Sequence, residues 1–198
     1  MLTTEWIISF LAFAFSMAIS PGPNNLMVMA ASSNFGLART LPHMFGIWIG
    51  FFGLLVLTSL GVGSVVKNVP EVYTVMKVLG ALYLLYLGVR IAMADNAIES
   101  KEARPFTVVE AAGFQLVNPK GWLMALGTAS TFAPQGTDPL NYALVAGGFF
   151  TLVNIISNGL WALLGRGIAQ LLGTPARRRI FNLSMATLLF ISIYFIIV

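Results

Sequence analysis

The residues with most to offer chemically lie inside apolar stretches rather than between them. At residues 20–25 the run SPGPNN sets two prolines, a glycine and two carboxamides within an apolar segment. Proline lacks an N–H and its ring clashes with the carbonyl four residues back. Pro21 and Pro23 therefore free the carbonyls of Met17 and Ile19, and Gly22 lets the chain turn sharply. The device recurs at Asn118, Pro119 and Lys120, where Pro119 frees the carbonyl of Gln115. If these stretches cross a membrane, freed carbonyls must find protein, water or ligand, and a lysine at mid-depth costs about 2.5–3.5 kcal/mol on insertion scales. Some ten residues separate Lys120 from the segment start at Glu110, roughly 15 Å at 1.5 Å per residue. That is a long reach for a snorkelling side chain.

Both breaks point to one kind of ligand. The helical pieces beginning at Asn24 and Lys120 aim their positive dipole ends at the membrane centre, and with the Lys120 ammonium they suit a carboxylate. The carbonyls of Met17, Ile19 and Gln115 suit an ammonium, and an α-amino acid carries both groups. The candidate substrate-binding residues are Pro21, Gly22, Pro23, Asn24, Asn25, Asn118, Pro119 and Lys120. Asn158 joins them because Asn154 and Asn158 share a helix face, with Ser157 and Trp161 nearby; tying helices together is the other use of such a face. His43, the single histidine, follows Pro42 at a segment edge and reads as interfacial, with a proton role as the alternative. Gly46 with Gly50, and Gly80 with Gly88, read as packing positions.

The elements that hold these residues follow from composition. The 198-residue chain is 58% hydrophobic and 9% charged, with mean hydropathy +0.86, whereas soluble domains carry about 25% charged residues. Net charge is +4 and the pI about 9.7, but the basic residues are scattered at segment ends with no basic stripe, which argues against nucleic acid as a partner. The chain has no cysteine, so disulfides, thiol redox chemistry and thiolate metal sites are excluded. The N-terminus lacks a basic region and carries Glu5, and reads as a retained first helix rather than a signal peptide.

A spanning helix needs about 20 mostly apolar residues. Six runs qualify, at 6–35, 44–66, 72–94, 111–132, 142–164 and 180–198. With the N-terminus outside, inner loops receive Arg39, Arg90, Lys101, Arg104, Arg166, Arg177, Arg178 and Arg179, and the outer side only Lys67 and Lys77. The bias toward cytoplasmic Lys and Arg places both termini outside. Three helices per half means that the halves, 1–94 and 111–198, enter the membrane from opposite sides, the inverted-repeat plan of many secondary transporters. The pair Gly46 and Gly63 is matched in spacing by Gly148 and Gly165. The expected fold is an all-α integral membrane protein: one transmembrane domain, 1–198, of six helices in two inverted three-helix repeats. The first and fourth helices are broken at proline motifs, and a cytoplasmic loop at 95–110 joins the halves.

These motifs also carry a resemblance. SPGPNN at 20–25, GALYLLYLGVR at 80–90 and QLVNPK at 115–120 make the chain similar, along nearly its whole length, to the LysE/RhtB family of bacterial amino-acid exporters. STF at 130–132 with Pro134 and Gln135, and NGLWALLG at 158–165, look most like its cysteine and O-acetylserine exporter branch. The resemblance implies efflux across the inner membrane, driven by the proton-motive force, with the site at the two proline motifs. It leaves the cargo open, since relatives export threonine, homoserine, leucine, cysteine derivatives or basic amino acids.

The acidic residues narrow the choice. Glu5, Glu71, Asp95, Glu99, Glu102, Glu110 and Asp138 all lie at segment ends or in loops. A cationic substrate would want a buried carboxylate, so a small neutral amino acid is expected, and proton coupling is left without a carboxylate carrier. An intramembrane enzyme would need a nucleophile with a base, or a metal cluster. No catalytic residue, metal or cofactor is expected. A channel or a structural membrane subunit without substrate coupling is the rival reading. Lipid is the expected surround, and homo-oligomerisation is open.

Overall fold

The computed structural model describes residues 3–93 and 104–197. Residues 95–103 of the expected central loop, including Asp95, Glu99, Lys101 and Glu102, lie outside them. Among the described residues there are helices and connections but no strand.

The first apolar run forms two helices. Helix α1 (Thr4–Ile19) is capped by Thr3, whose hydroxyl accepts from the Trp6 N–H, and carries Glu5 in its first turn. The chain then passes through Ser20, Pro21 and Gly22 into α2 (Pro23–Phe35), which starts on proline, a residue suited to N1 because that N–H has no helical partner. The two helices meet at 57°. Gly36, at φ 82°, ends α2 in a conformation that favours glycine and leads directly into α3 (Leu37–Leu57). A π-turn at Thr58–Val62, with Gly61 at φ 105°, joins α3 to α4 (Gly63–Asn68). Helix α5 (Pro70–Ala92) follows after Val69.

The second half repeats the break. Helix α6 (Val108–Gln115) opens with a reciprocal capping box between Thr107 and Glu110, satisfying two N–H groups that the helix leaves free. After Leu116, Val117 and Asn118, α7 (Pro119–Phe132) again begins on proline. Helix α8 (Pro139–Leu171), capped by the Asp138 carboxylate, is the longest, and α9 (Pro175–Ile197) ends the chain. Among the described residues, three helical stretches are long and apolar enough to cross a membrane: Leu37–Val66, Pro70–Ala92 and Pro139–Leu171. The bent α1–α2 pair makes a fourth.

Helix ends depart from the apolar runs. Residues 37–42 and 165–171, read as loop, are helical. Polar and basic residues at the ends of a span keep their helical hydrogen bonds, so apolarity alone ends these helices too early.

Helix α8 packs on α1, α2 and α3; α3 also packs on α6 and α7, and α5 on α9. Glycines set the closest approaches, as expected where small residues let helix backbones meet. A Cβ at Gly165 would strike the Met29 carbonyl of α2, one at Gly46 the Val108 carbonyl, one at Gly50 Ala112, one at Gly80 the Val117 carbonyl, and one at Gly88 the Phe190 ring. Gly148 meets nothing within 4 Å, so it does not repeat the contact of Gly46, and the matched glycine spacing has no common packing role. A core of Phe10, Phe51, Trp122, Tyr142 and Phe150 fills the bundle. Val75, Leu79 and Leu82 of α5, and Leu152, Ile156 and Leu163 of α8, are exposed, a surface suited to lipid and too apolar for water.

Side-chain contacts sort the helix ends into two groups. At one end Trp6 donates to the Phe132 carbonyl at 2.9 Å and Tyr142 to the Thr128 carbonyl at 2.7 Å. At the other, Asn34 bonds Asn182 at 2.8 Å, His43 meets Phe106, and Arg90 lies 3.8 Å from Glu110. Arg104 bonds Glu110 with both guanidinium NH₂ groups, at 2.7 and 3.0 Å. That bond holds the carboxyl, at the start of α6, down at about 2. Arg39, Arg166 and Arg177–Arg179 belong to the same ends of α3, α8 and α9, so the arginines gather on one side.

Candidate functional site

The site is where the α1–α2 break meets the α6–α7 break. Pro23 and Pro119 each begin a helix, so the first hydrogen bonds of α2 and α7 start at Leu26 (to the Gly22 carbonyl, 3.0 Å) and Trp122 (to the Asn118 carbonyl, 3.1 Å). The N–H groups of Asn24 and Asn25, and of Lys120 and Gly121, precede those bonds and have no partner within the helix. These four residues line one cavity together with Gly22, Asn118, Asn154 and Asn158, and Ile47, Phe51 and Met124 close its apolar side. Its volume is about 20 Å³, room for a water but not for an amino acid. Binding a solute therefore requires the walls to part.

Carboxamides connect the two breaks. Asn24 and Gln115 exchange hydrogen bonds at 2.9 and 3.1 Å, and Asn118 donates to the same Gln115 oxygen at 3.2 Å. Asn25 donates to the carbonyls of Ala18 at 2.7 Å and Ser20 at 3.0 Å, and accepts from Asn158 at 3.1 Å. The Asn158 oxygen takes the Trp48 indole N–H at 3.0 Å. The buried Asn118 oxygen has no partner.

The freed carbonyls are not left open for a ligand. Ile19 accepts from the Trp161 indole at 3.1 Å, Met17 from the Ser20 hydroxyl at 2.9 Å, and Gln115 from the Asn118 N–H at 3.4 Å. Ser157 reaches the Ala18 carbonyl at 2.8 Å. In a membrane no water offsets an unpaired carbonyl, so side chains of α8 supply donors to the end of α1. Lys120 does not snorkel to a bundle end. Its ammonium crosses from α7 to the α1–α2 break and donates to the Ser20 carbonyl at 2.6 Å, the Ser20 hydroxyl at 2.9 Å and the Pro21 carbonyl at 3.4 Å.

Of the residues named from sequence, Gly22, Asn24, Asn25, Asn118, Lys120 and Asn158 line the cavity, while Pro21, Pro23 and Pro119 shape the breaks without lining it. Sequence reasoning passed over Ser20, Gln115 and Trp48 as side-chain partners. Gln115, a polar residue three before Asn118 in an apolar run, carried a signal; Trp48 carried none. His43 is fully buried, its ring 5.2 Å from Phe106 and neither nitrogen hydrogen-bonded. Phe106, in the chain before α6, packs over it at the start of α3 and shields the ring from the surface. Glu5, Glu71, Glu110 and Asp138 each sit at a helix N-terminus, where the dipole favours them. None of them lines the cavity.

Breaking helices beside a shared polar cavity lets a chain show backbone groups to a solute while hiding them from lipid, and this places the protein among membrane transport proteins. The chain belongs to the LysE type translocator family, whose model matches residues 15–197. It is 27% identical over 164 residues to the cysteine/O-acetylserine efflux protein of Salmonella typhimurium, covering 83% of this chain and 84% of the relative. The Klebsiella pneumoniae protein of that name is also 27% identical over the same shares. The Escherichia coli K12 protein is 23% identical over 188 residues, 95% of each chain. No solved structure matches the chain.

Proposed function

We propose that this protein is a secondary carrier that exports small neutral amino acids or their derivatives across the bacterial inner membrane, driven by the proton-motive force. The observation that carries this reading is the convergence of two helix N-termini, with four N–H groups outside the helical ladders, on a cavity that also holds a lysine and no acidic residue. Such a site favours a carboxylate and has no acidic residue to pair with a second, side-chain cation. The relatives are named for efflux of cysteine and O-acetylserine, which supports a cargo of this kind; threonine, homoserine and leucine share its chemistry. Substrate contacts are assigned to Gly22, Asn24, Asn25, Asn118, Lys120 and Asn158, with Pro21, Pro23 and Pro119 holding the breaks open. Lys120 is the ionisable group at the cavity and the candidate proton carrier.

In this reading the α6–α7 pair and α9 complete six spans, in two inverted halves, 1–94 and 111–198, of one domain. The packing of α1 and α2 on α8, mirrored by that of α6 and α7 on α3, supports the repeat. The arginine-rich end faces the cytoplasm, so both termini are periplasmic.

The test is counterflow in proteoliposomes loaded with a neutral amino acid, with labelled cysteine, O-acetylserine, threonine, homoserine, leucine, lysine and arginine outside. Saturable accumulation of neutral amino acids is expected, and none of lysine or arginine. Flux that rises linearly with concentration and shows no counterflow would favour a channel.

A further inference from the structure

We propose that the oxygen cluster at the α1–α2 break is the subsite for the substrate's α-ammonium, and that the Lys120 ammonium holds it as a tethered stand-in until a substrate displaces it. The proposal rests on the exporter reading for the identity of its ligand and adds where the ligand's amine goes.

The geometry is that of an ammonium site. A primary ammonium has three N–H donors and no acceptor. Here three oxygens converge on one: the Ser20 carbonyl at 2.6 Å, the Ser20 hydroxyl at 2.9 Å and the Pro21 carbonyl at 3.4 Å. No carboxylate takes part, so the site binds an ammonium through dipoles, at the C-terminal and therefore negative end of α1. The other carbonyls at that end, Met17, Ala18 and Ile19, are held by Ser20, Asn25, Ser157 and Trp161. Only Ser20 and Pro21 face a donor on the stem of a flexible side chain from another helix.

The two halves of an amino acid then find places side by side. An ammonium and a carboxylate on one carbon need adjacent subsites. Pro21 offers its carbonyl to the ammonium, and three residues on, Asn24 opens the unpaired N–H series of α2. Gly22 between them packs against the lysine stem, so that a Cβ there would lie 2.8 Å from Lys120 Cδ and 3.0 Å from Nζ. The unpartnered, buried Asn118 oxygen lines the same cavity and gives an arriving ammonium one more acceptor. When the substrate's ammonium replaces that of Lys120, the charge at the oxygen cluster is unchanged. The displaced lysine is then free to neutralise the incoming carboxylate. Until then the lysine shares the Ser20 carbonyl with the Asn25 carboxamide and is the donor to the Pro21 carbonyl.

The experiment removes the tether and supplies a free amine to the full-length protein in detergent. Lys120→Ala should bind n-butylammonium at least roughly tenfold more tightly than wild type, about 1.4 kcal/mol, and its thermal midpoint should rise saturably with that amine. Tetramethylammonium, with the same charge and no N–H, should do neither. If Lys120→Ala does not yield folded protein, Lys120→Met keeps the apolar stem and is probed with methylammonium instead. Equal amine binding by wild type and variant, or equal effects of tetramethylammonium, would overturn the proposal. Wild-type counterflow judges the exporter reading separately. Counterflow without a gain of amine binding would sink the subsite and keep the exporter; amine binding without counterflow would keep the subsite and sink amino acids as cargo.

Discussion

Gly22 has φ −178°, extended backbone open to any residue, so only space restricts it, and that space is filled by the stem of Lys120. Gly22→Ala thus tests the lysine's position without touching its charge. The stem is flexible and can give way, so the variant is expected to fold with a midpoint close to wild type. Its Lys120–Ser20 bond should be lost, and export should fall roughly tenfold or more, the equivalent of about 1.4 kcal/mol. Wild-type flux from this variant would mean that the lysine's contact with Ser20 has no part in transport. At this scale the sequence was informative about which residues matter and less so about what they touch. The prolines, the carboxamides and Lys120 stand out because each is expensive within an apolar run. The partners of the freed carbonyls do not, because Trp161 and Ser157 come from a helix more than a hundred residues away, and nothing local announces the pairing.

At the scale of the helix, α8 and α2 touch through Gly165 and the Met29 carbonyl, and any side chain must push them apart. Gly165→Ala is expected to destabilise the protein by about 1–3 kcal/mol, as overpacking does. Gly148→Ala, on the same helix with nothing within 4 Å, should be neutral or mildly stabilising, because alanine is the better helix former. Thermal unfolding of the two variants in one detergent checks this, and equal losses would contradict the packing described. Both glycines look alike in the sequence, and only the neighbouring helix separates them. The broken helices were legible, since proline and glycine act on their own backbone. The helix ends were not, because residues 165–171 lack the apolar signature and remain helical. The burial of His43 was not legible for a related reason: it depends on Phe106, far along the chain.

For the whole molecule, the charge asymmetry was legible in the sequence, because each arginine marks a segment end whatever the packing. The absence of cysteine makes sidedness measurable. A cysteine in place of Ser100 should be shielded from an impermeant maleimide in intact cells, and one in place of Gln135 labelled; the reverse would overturn the orientation and the inverted halves with it. Transport itself is the property on which the other readings converge, and counterflow by wild type beside Lys120→Gln measures it most directly. Lys120→Gln keeps hydrogen-bonding capacity and removes a half-buried charge, so it should insert and fold. The expected result is saturable counterflow of small neutral amino acids by wild type, none of lysine or arginine, and a fall of at least an order of magnitude in Lys120→Gln, about 1.4 kcal/mol or more. Counterflow confined to cationic amino acids, or wild-type rates from Lys120→Gln, would contradict a neutral amino-acid site built around this lysine.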